Sequence, residues 1–152
     1  MDKIVEDASF SAPVADRAVP RWFWIAAAAA LAFELFGLAA VGNELLLDPA
    51  SLPADQRAMW LAYPGWMKTA SAVAVIAGTA GAIGLLIRRR WAPPLLLVSL
   101  IALVVQNSAY LLDARLGATV SGGAWAAPLI IVVLCALVYA FARHSRRRGW
   151  LV

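Results

Sequence analysis

Four runs of about twenty apolar residues limit what this chain can fold into. They fall at 22–42, 66–87, 93–112 and 124–142. Charge closes each one: Arg21 before the first, Arg88 to Arg90 after the second, Asp113 after the third and Arg143 after the fourth. At about 1.5 Å per residue, each run as a helix matches the roughly 30 Å thickness of a bilayer's hydrocarbon core. Lipid offers the backbone no water to bond. Helices, which satisfy their own N–H and C=O groups, are therefore the practical solution for such runs. The chain is 63% hydrophobic and 14% charged, where soluble domains run near 45–50% and 25%. The expected fold is all-α: one four-helix transmembrane bundle over 21–152, preceded by a disordered cytoplasmic tail at 1–20.

Basic residues set the expected orientation. With the amino terminus inside, the cytoplasmic side collects Lys3, Arg17, Arg21, Arg88, Arg89, Arg90, Arg143, Arg146, Arg147 and Arg148. The outside collects only Arg57, Lys68 and Arg115. That imbalance predicts both termini in the cytoplasm. The tryptophans mark the same two levels as interface belts: Trp22, Trp24, Trp91 and Trp150 inside, and Trp60, Trp66 and Trp125 outside. The first twenty residues carry Asp2, Glu6, Asp7 and Asp16, which makes a poor signal peptide. In the long outer loop, 43–65, the spacing predicts a short helix with Ser51 as N-cap and Pro53 in its first turn. Met59, Trp60 and Tyr63 would give that helix an apolar side to lay on the outer membrane surface. An ordinary structured loop is the alternative.

Glu34 is the one acidic residue set well inside an apolar run. A carboxyl at such depth costs on the order of 3 kcal/mol, so it faces protein, carries a proton, or both. Gln106 and Asn107 lie at nearly the same depth from the outer end of the third run. Ser99, Gln106, Tyr110 and Asp113 follow a seven-four-three spacing that aligns them on one helix face. Two readings stand side by side. In the functional one, Glu34 is the floor of an outward-opening polar pocket, a proton site or ligand anchor. Gln106, Asn107 and Tyr110 then line the walls, with Lys68 and Asp113 at the mouth. In the structural one, a protonated Glu34 bonds Gln106 or Asn107 and clamps two helices together.

The second run carries Ala77, Gly81, Ala80 and Gly84 at four-residue spacing, which suits close helix packing within the bundle or a homodimer face. Cys135 stands alone in an apolar run and reads as a packing residue. His144, the single histidine, reads as a solvated juxtamembrane residue without partners for a metal or haem. No phosphate loop, nucleophile elbow or HExxH is present. The expectation is a protein with no catalytic residues, no metal and no cofactor. The basic charge hugs the membrane ends, which fits lipid headgroups and gives no support to nucleic-acid binding.

Three short stretches carry a resemblance: Pro20-Arg21-Trp22-Phe23-Trp24; Leu52-Pro53-Ala54-Asp55-Gln56-Arg57 with Pro64-Gly65-Trp66; and Gln106-Asn107-Ser108. With the ending Arg148-Gly149-Trp150-Leu151, they resemble small proteobacterial inner-membrane proteins loosely labelled sugar transporters. These are related to the DoxX-like four-helix membrane family. The resemblance implies a four-helix membrane fold and a bacterial inner-membrane location, and it brings no set of functional residues with it. Three functions remain open. The first is a transporter or binding protein for a small, sugar-like polar solute, with homodimerisation relieving the shortage of helices for alternating access. The second is an accessory or scaffold subunit of a larger membrane complex. The third is a DoxX-like oxidoreductase subunit.

Overall fold

The computed structural model describes residues 19–112 and 126–152. Its regular elements, in chain order, are α1 (Arg21–Leu46), a 3₁₀ turn (Pro49–Ser51), α2 (Ala54–Ala62), α3 (Gly65–Leu86), α4 (Ala92–Leu112) and α5 (Ala126–Arg147). Helices α1, α3, α4 and α5 are each long and apolar enough to cross a membrane, which fits an integral, multi-pass membrane protein. Their outward faces agree: Ile25, Phe36, Ile101 and Leu137 are exposed. The tail expected at 1–20 falls, apart from Val19 and Pro20, outside the described residues.

Helix α3 is central. It packs against α1 on one side and α4 on the other, and α4 in turn packs against α5. Lipid tails are as apolar as leucine, so close backbone approach and van der Waals contact hold such helices together. The small residues of α3 supply that approach. A Cβ at Gly81 would lie 2.6 Å from Leu96 Cγ, and one at Gly84 would lie 2.6 Å from the Trp91 ring. Packing within the bundle thus accounts for the glycine spacing at both positions.

The end of the bundle that carries the arginines is closed tightly. Phe23, Ala27, Leu85, Ala92, Leu96, Ala142 and Leu151 form one buried cluster there. Phe23 touches the rings of Trp24, Phe141 and Trp150 at centroid distances of 5.5 to 5.9 Å. How Leu151 reaches this core follows from the end of α5. Gly149 has a φ of 74°, a left-handed conformation that glycine adopts freely. Its N–H bonds Arg146 O, and the Trp150 N–H bonds Ser145 O. This is a Schellman cap, and it folds residues 150–152 back over the bundle. There the Val152 N–H donates to Arg88 O at 2.6 Å, the Arg90 N–H donates to Val152 O at 3.2 Å, and Arg88 Nε donates to Trp150 O at 2.7 Å. These bonds hold Arg88 at its positive φ of 58°, which a non-glycine residue adopts at a cost of about 1–2 kcal/mol.

Four expectations change. Helix α1 continues a turn past Gly42 to Leu46, because no breaker stands before Asp48-Pro49 and proline restricts the residue ahead of it. Helix α5 runs through the basic cluster to Arg147: arginine is a good helix former, and cations suit a helix C-terminus. Ser51 does not cap α2. It belongs to the 3₁₀ turn, where its hydroxyl bonds Asp48 O, and Pro53 takes the N-cap position of α2. The belt reading is incomplete for two tryptophans. Trp150 packs on the rings of Trp22, Phe23 and His144, and Trp60 lies beneath the Lys68 ammonium. Trp22, Trp24, Trp66 and Trp91 are half-exposed, as belt residues are; Trp125 lies outside the described residues.

Candidate functional site

Away from the tightly closed end, the four long helices leave space between them. A cavity of about 260 Å³ lies among α1, α3, α4 and α5. Helix α1 contributes Phe33, Glu34 and Phe36, α3 contributes Ser71, Ala74 and Val75, α4 contributes Ser99, Leu103 and Gln106, and α5 contributes Ile131 and Cys135. Aliphatic and aromatic side chains dominate the wall. Small side chains keep it hollow: Gly37, Ala40 and Ala74 line it where bulkier residues would fill it.

Among the described residues, Glu34 is the only charged one in that lining. Its residue is 5% exposed; no hydrogen bond or ion pair reaches its carboxylate from the described residues, although the fully enclosed polar atoms left without a partner there are Trp60 Nε1 and Thr79 Oγ1, not the Glu34 oxygens. One side of the carboxylate rests against α3. A Cβ at Gly78 would overlap it, lying 2.6 Å from Glu34 Cδ. Gly78 is thus the position that lets this side chain lie against the neighbouring helix. Buried polar groups are rarely left unpartnered, because the lost hydration costs about 1–3 kcal/mol or more. A carboxyl this deep in an apolar helix is costly unless it is protonated or partnered.

A second, smaller pocket of about 80 Å³ lies at the end of the bundle opposite Arg88 to Arg90. Glu44, Tyr63, Met67, Lys68, Ser71, Gln106 and Tyr110 line it. The Tyr63 and Tyr110 side chains are hydrogen-bonded to each other. Met67 and Ala109 are buried beside both tyrosines. Arg57 anchors the connection that carries Tyr63: its guanidinium donates to Pro49 O at 2.9 Å, Ala50 O at 2.7 Å and Leu52 O at 3.1 Å. Three carbonyls held by one side chain tie the 3₁₀ turn to α2.

The residues singled out from sequence are therefore distributed unequally. Glu34 and Gln106 do share a cavity. Tyr110 lines the second pocket, together with Gln106. Asn107 lines neither; its amide donates to Leu103 O, one turn back on its own helix, at 2.8 Å. The clamp between Glu34 and Gln106 or Asn107 is not formed. Lys68 lines the second pocket and not the Glu34 cavity, and its ammonium caps the Trp60 ring at 3.1 Å from the centroid in a cation–π contact. Asp113 lies outside the described residues. Of the aligned stripe, Ser99, Gln106 and Tyr110 hold to one face, as their spacing requires. Sequence reasoning missed Ser71 and Cys135 as lining residues. Ser71 stands one turn below Lys68 on the same face, a signal that could have found it. Cys135 gave none, since a cysteine in an apolar run reads as packing.

The fold and site together define a class: an integral membrane four-helix bundle with an internal cavity that holds one acidic residue. Comparisons with protein families, with curated proteins and with solved structures find no match to the chain.

Proposed function

We propose that this protein binds a small molecule within the membrane and acts as its carrier, with the Glu34 cavity as the seat and the smaller pocket as its vestibule. One observation carries the reading: Ser71 and Gln106 line both compartments. They form the partition between an opening at the bundle's end and an unpartnered carboxyl inside. A packing defect would not be expected to join an acidic floor to a polar mouth through two hydrogen-bonding side chains.

The same proposal covers orientation and location. The end bearing Arg21, Arg88 to Arg90, Arg143 and Arg146 to Arg148 faces the cytoplasm, following the distribution of basic charge. The vestibule then opens outward, and α2 lies at the outer surface. A bacterial inner membrane is the location, which rests on the resemblance of the 20–24, 52–57 and 106–108 stretches. The test is uptake into proteoliposomes of a panel of labelled small solutes, sugars, acids and amines, with wild type and Glu34→Gln side by side. Uptake by wild type that falls to background in the variant is the expected result. No uptake of any solute by folded protein would overturn the carrier reading and leave an accessory subunit in its place.

A further inference from the structure

Building on the binding reading above, we infer that the ligand of the Glu34 cavity is a small hydrophobic primary amine in its ammonium form, with Glu34 as its counter-ion. The lining argues for this class by charge, by hydrogen bonding and by shape. A carboxylate enclosed by apolar walls must be neutralised, by a proton or by a cation. Among the described residues, no Lys, Arg or His side chain lines the cavity to do so. Lys68 lines the smaller pocket and not this cavity, and is engaged with Trp60. An exogenous cation therefore has a charge partner here and no cationic competitor within the lining.

The remaining polar atoms fit a primary ammonium. Ser71, Ser99 and Gln106 each offer an acceptor oxygen in addition to the Glu34 carboxylate. An ammonium carries three N–H donors, whereas a quaternary centre would leave those acceptors unused. A sugar, with hydroxyls all round, would face Phe33, Phe36, Val75, Leu103 and Ile131 without partners. The aromatic and aliphatic wall suits a hydrocarbon or aryl tail instead.

Shape adds a route. Helices α1 and α5 both wall the cavity and meet through the rings of Trp22, Phe23 and Phe141 at the arginine-rich end. Phe36, on the rim, is 77% exposed. Phe33 lines this cavity and also an apolar groove of about 330 Å³ between the two helices, formed by residues such as Ala26, Ala29, Leu134 and Leu137. The seam between α1 and α5 thus leads from the hydrocarbon side to Glu34, and a hydrophobic amine partitioning into the bilayer can enter along it.

Calorimetric titration of the full chain in nanodiscs tests this, with 2-phenylethylammonium and the neutral, size-matched 2-phenylethanol as probes. Wild type should bind the ammonium about tenfold or more tightly than the alcohol, the affinity equivalent of one charged hydrogen bond. Glu34→Gln should lose that preference and keep its alcohol binding. Equal binding of both probes to wild type would overturn the amine assignment while leaving the cavity a binding site. A preference that persists in Glu34→Gln would also overturn it, by placing the selectivity elsewhere. Binding of neither probe would overturn the assignment and count against the binding reading itself. The wild-type ratio needs no variant, so the inference stays exposed even if Glu34→Gln does not fold. Gly78→Ala, which displaces the carboxylate without removing it, should then shrink the same ratio.

Discussion

The two halves of this bundle are built on opposite rules. At the arginine-rich end, Phe23, Leu85, Leu151 and Ser145 are the largest fully buried side chains of the described residues, and rings meet edge to face. In the other half, the buried hydrophobic cluster is Met67 with Ala109, and the helices separate around a cavity and a pocket. Both halves are made of apolar helices, so hydrophobicity does not distinguish them. Side-chain size and the returning segment 150–152 do. Bulky rings and a Schellman turn fill one end, whereas alanine, glycine and serine leave the other hollow. The filled end supplies rigidity, and the hollow half can then hold an unpartnered carboxyl that on its own would only destabilise.

That contrast can be broken most forcefully at Phe23. Phe23→Ala empties the centre of the closed end and should cost on the order of 3 kcal/mol. A thermal unfolding midpoint in detergent that stays near wild type would show that the ring cluster is not the anchor. Next comes Gly81→Val, which drives a branched side chain into Leu96 and should cost about 2 kcal/mol, read by denaturant titration. Unchanged stability there would mean that α3 and α4 can separate at no cost.

The smaller effects sharpen the comparison from the hollow side. Glu34→Met, which replaces an unpartnered carboxyl by an apolar side chain of similar length, should stabilise the fold by about 1 kcal/mol while abolishing amine binding. Destabilisation instead would reveal a partner for Glu34 and turn the cavity back into a structural clamp. Asn107→Ala should change stability by less than about 1 kcal/mol and leave ligand binding as it is, since its amide bonds only its own helix. A loss of binding in that variant would place Asn107 in the site after all.

Much of this was legible in the sequence. Run length and end charges located the four helices to within a turn or so, because a bilayer's thickness and the backbone's hydrogen-bonding demand leave few options. The seven- and four-residue spacings correctly put Ser99, Gln106 and Tyr110 on one face. Depth counting brought Glu34 and Gln106 together even though α1 runs on to Leu46. It failed for Asn107, because a one-residue step turns a side chain about 100° around the helix, and an amide there can satisfy itself on its own backbone. The Trp150–Val152 return was invisible as well. The sequence showed an arginine-rich ending with a glycine, and the basic charge was explanation enough.

Taken alone, the amino-acid sequence determined that the described chain is helical, that four of its helices are long and apolar enough to span a membrane, and that Glu34 sits well inside one of them, where a carboxyl is costly. These follow from local composition and period, which each segment expresses by itself. Only the tertiary structure decided that α3 is central, that residues 150–152 seal one end, and that Glu34 faces a cavity instead of a hydrogen-bond partner. Those outcomes depend on which small residues meet which large ones across helices. A Gly78 or an Ala74 acquires its meaning from the neighbouring helix it lets in, and that neighbour lies far away along the chain.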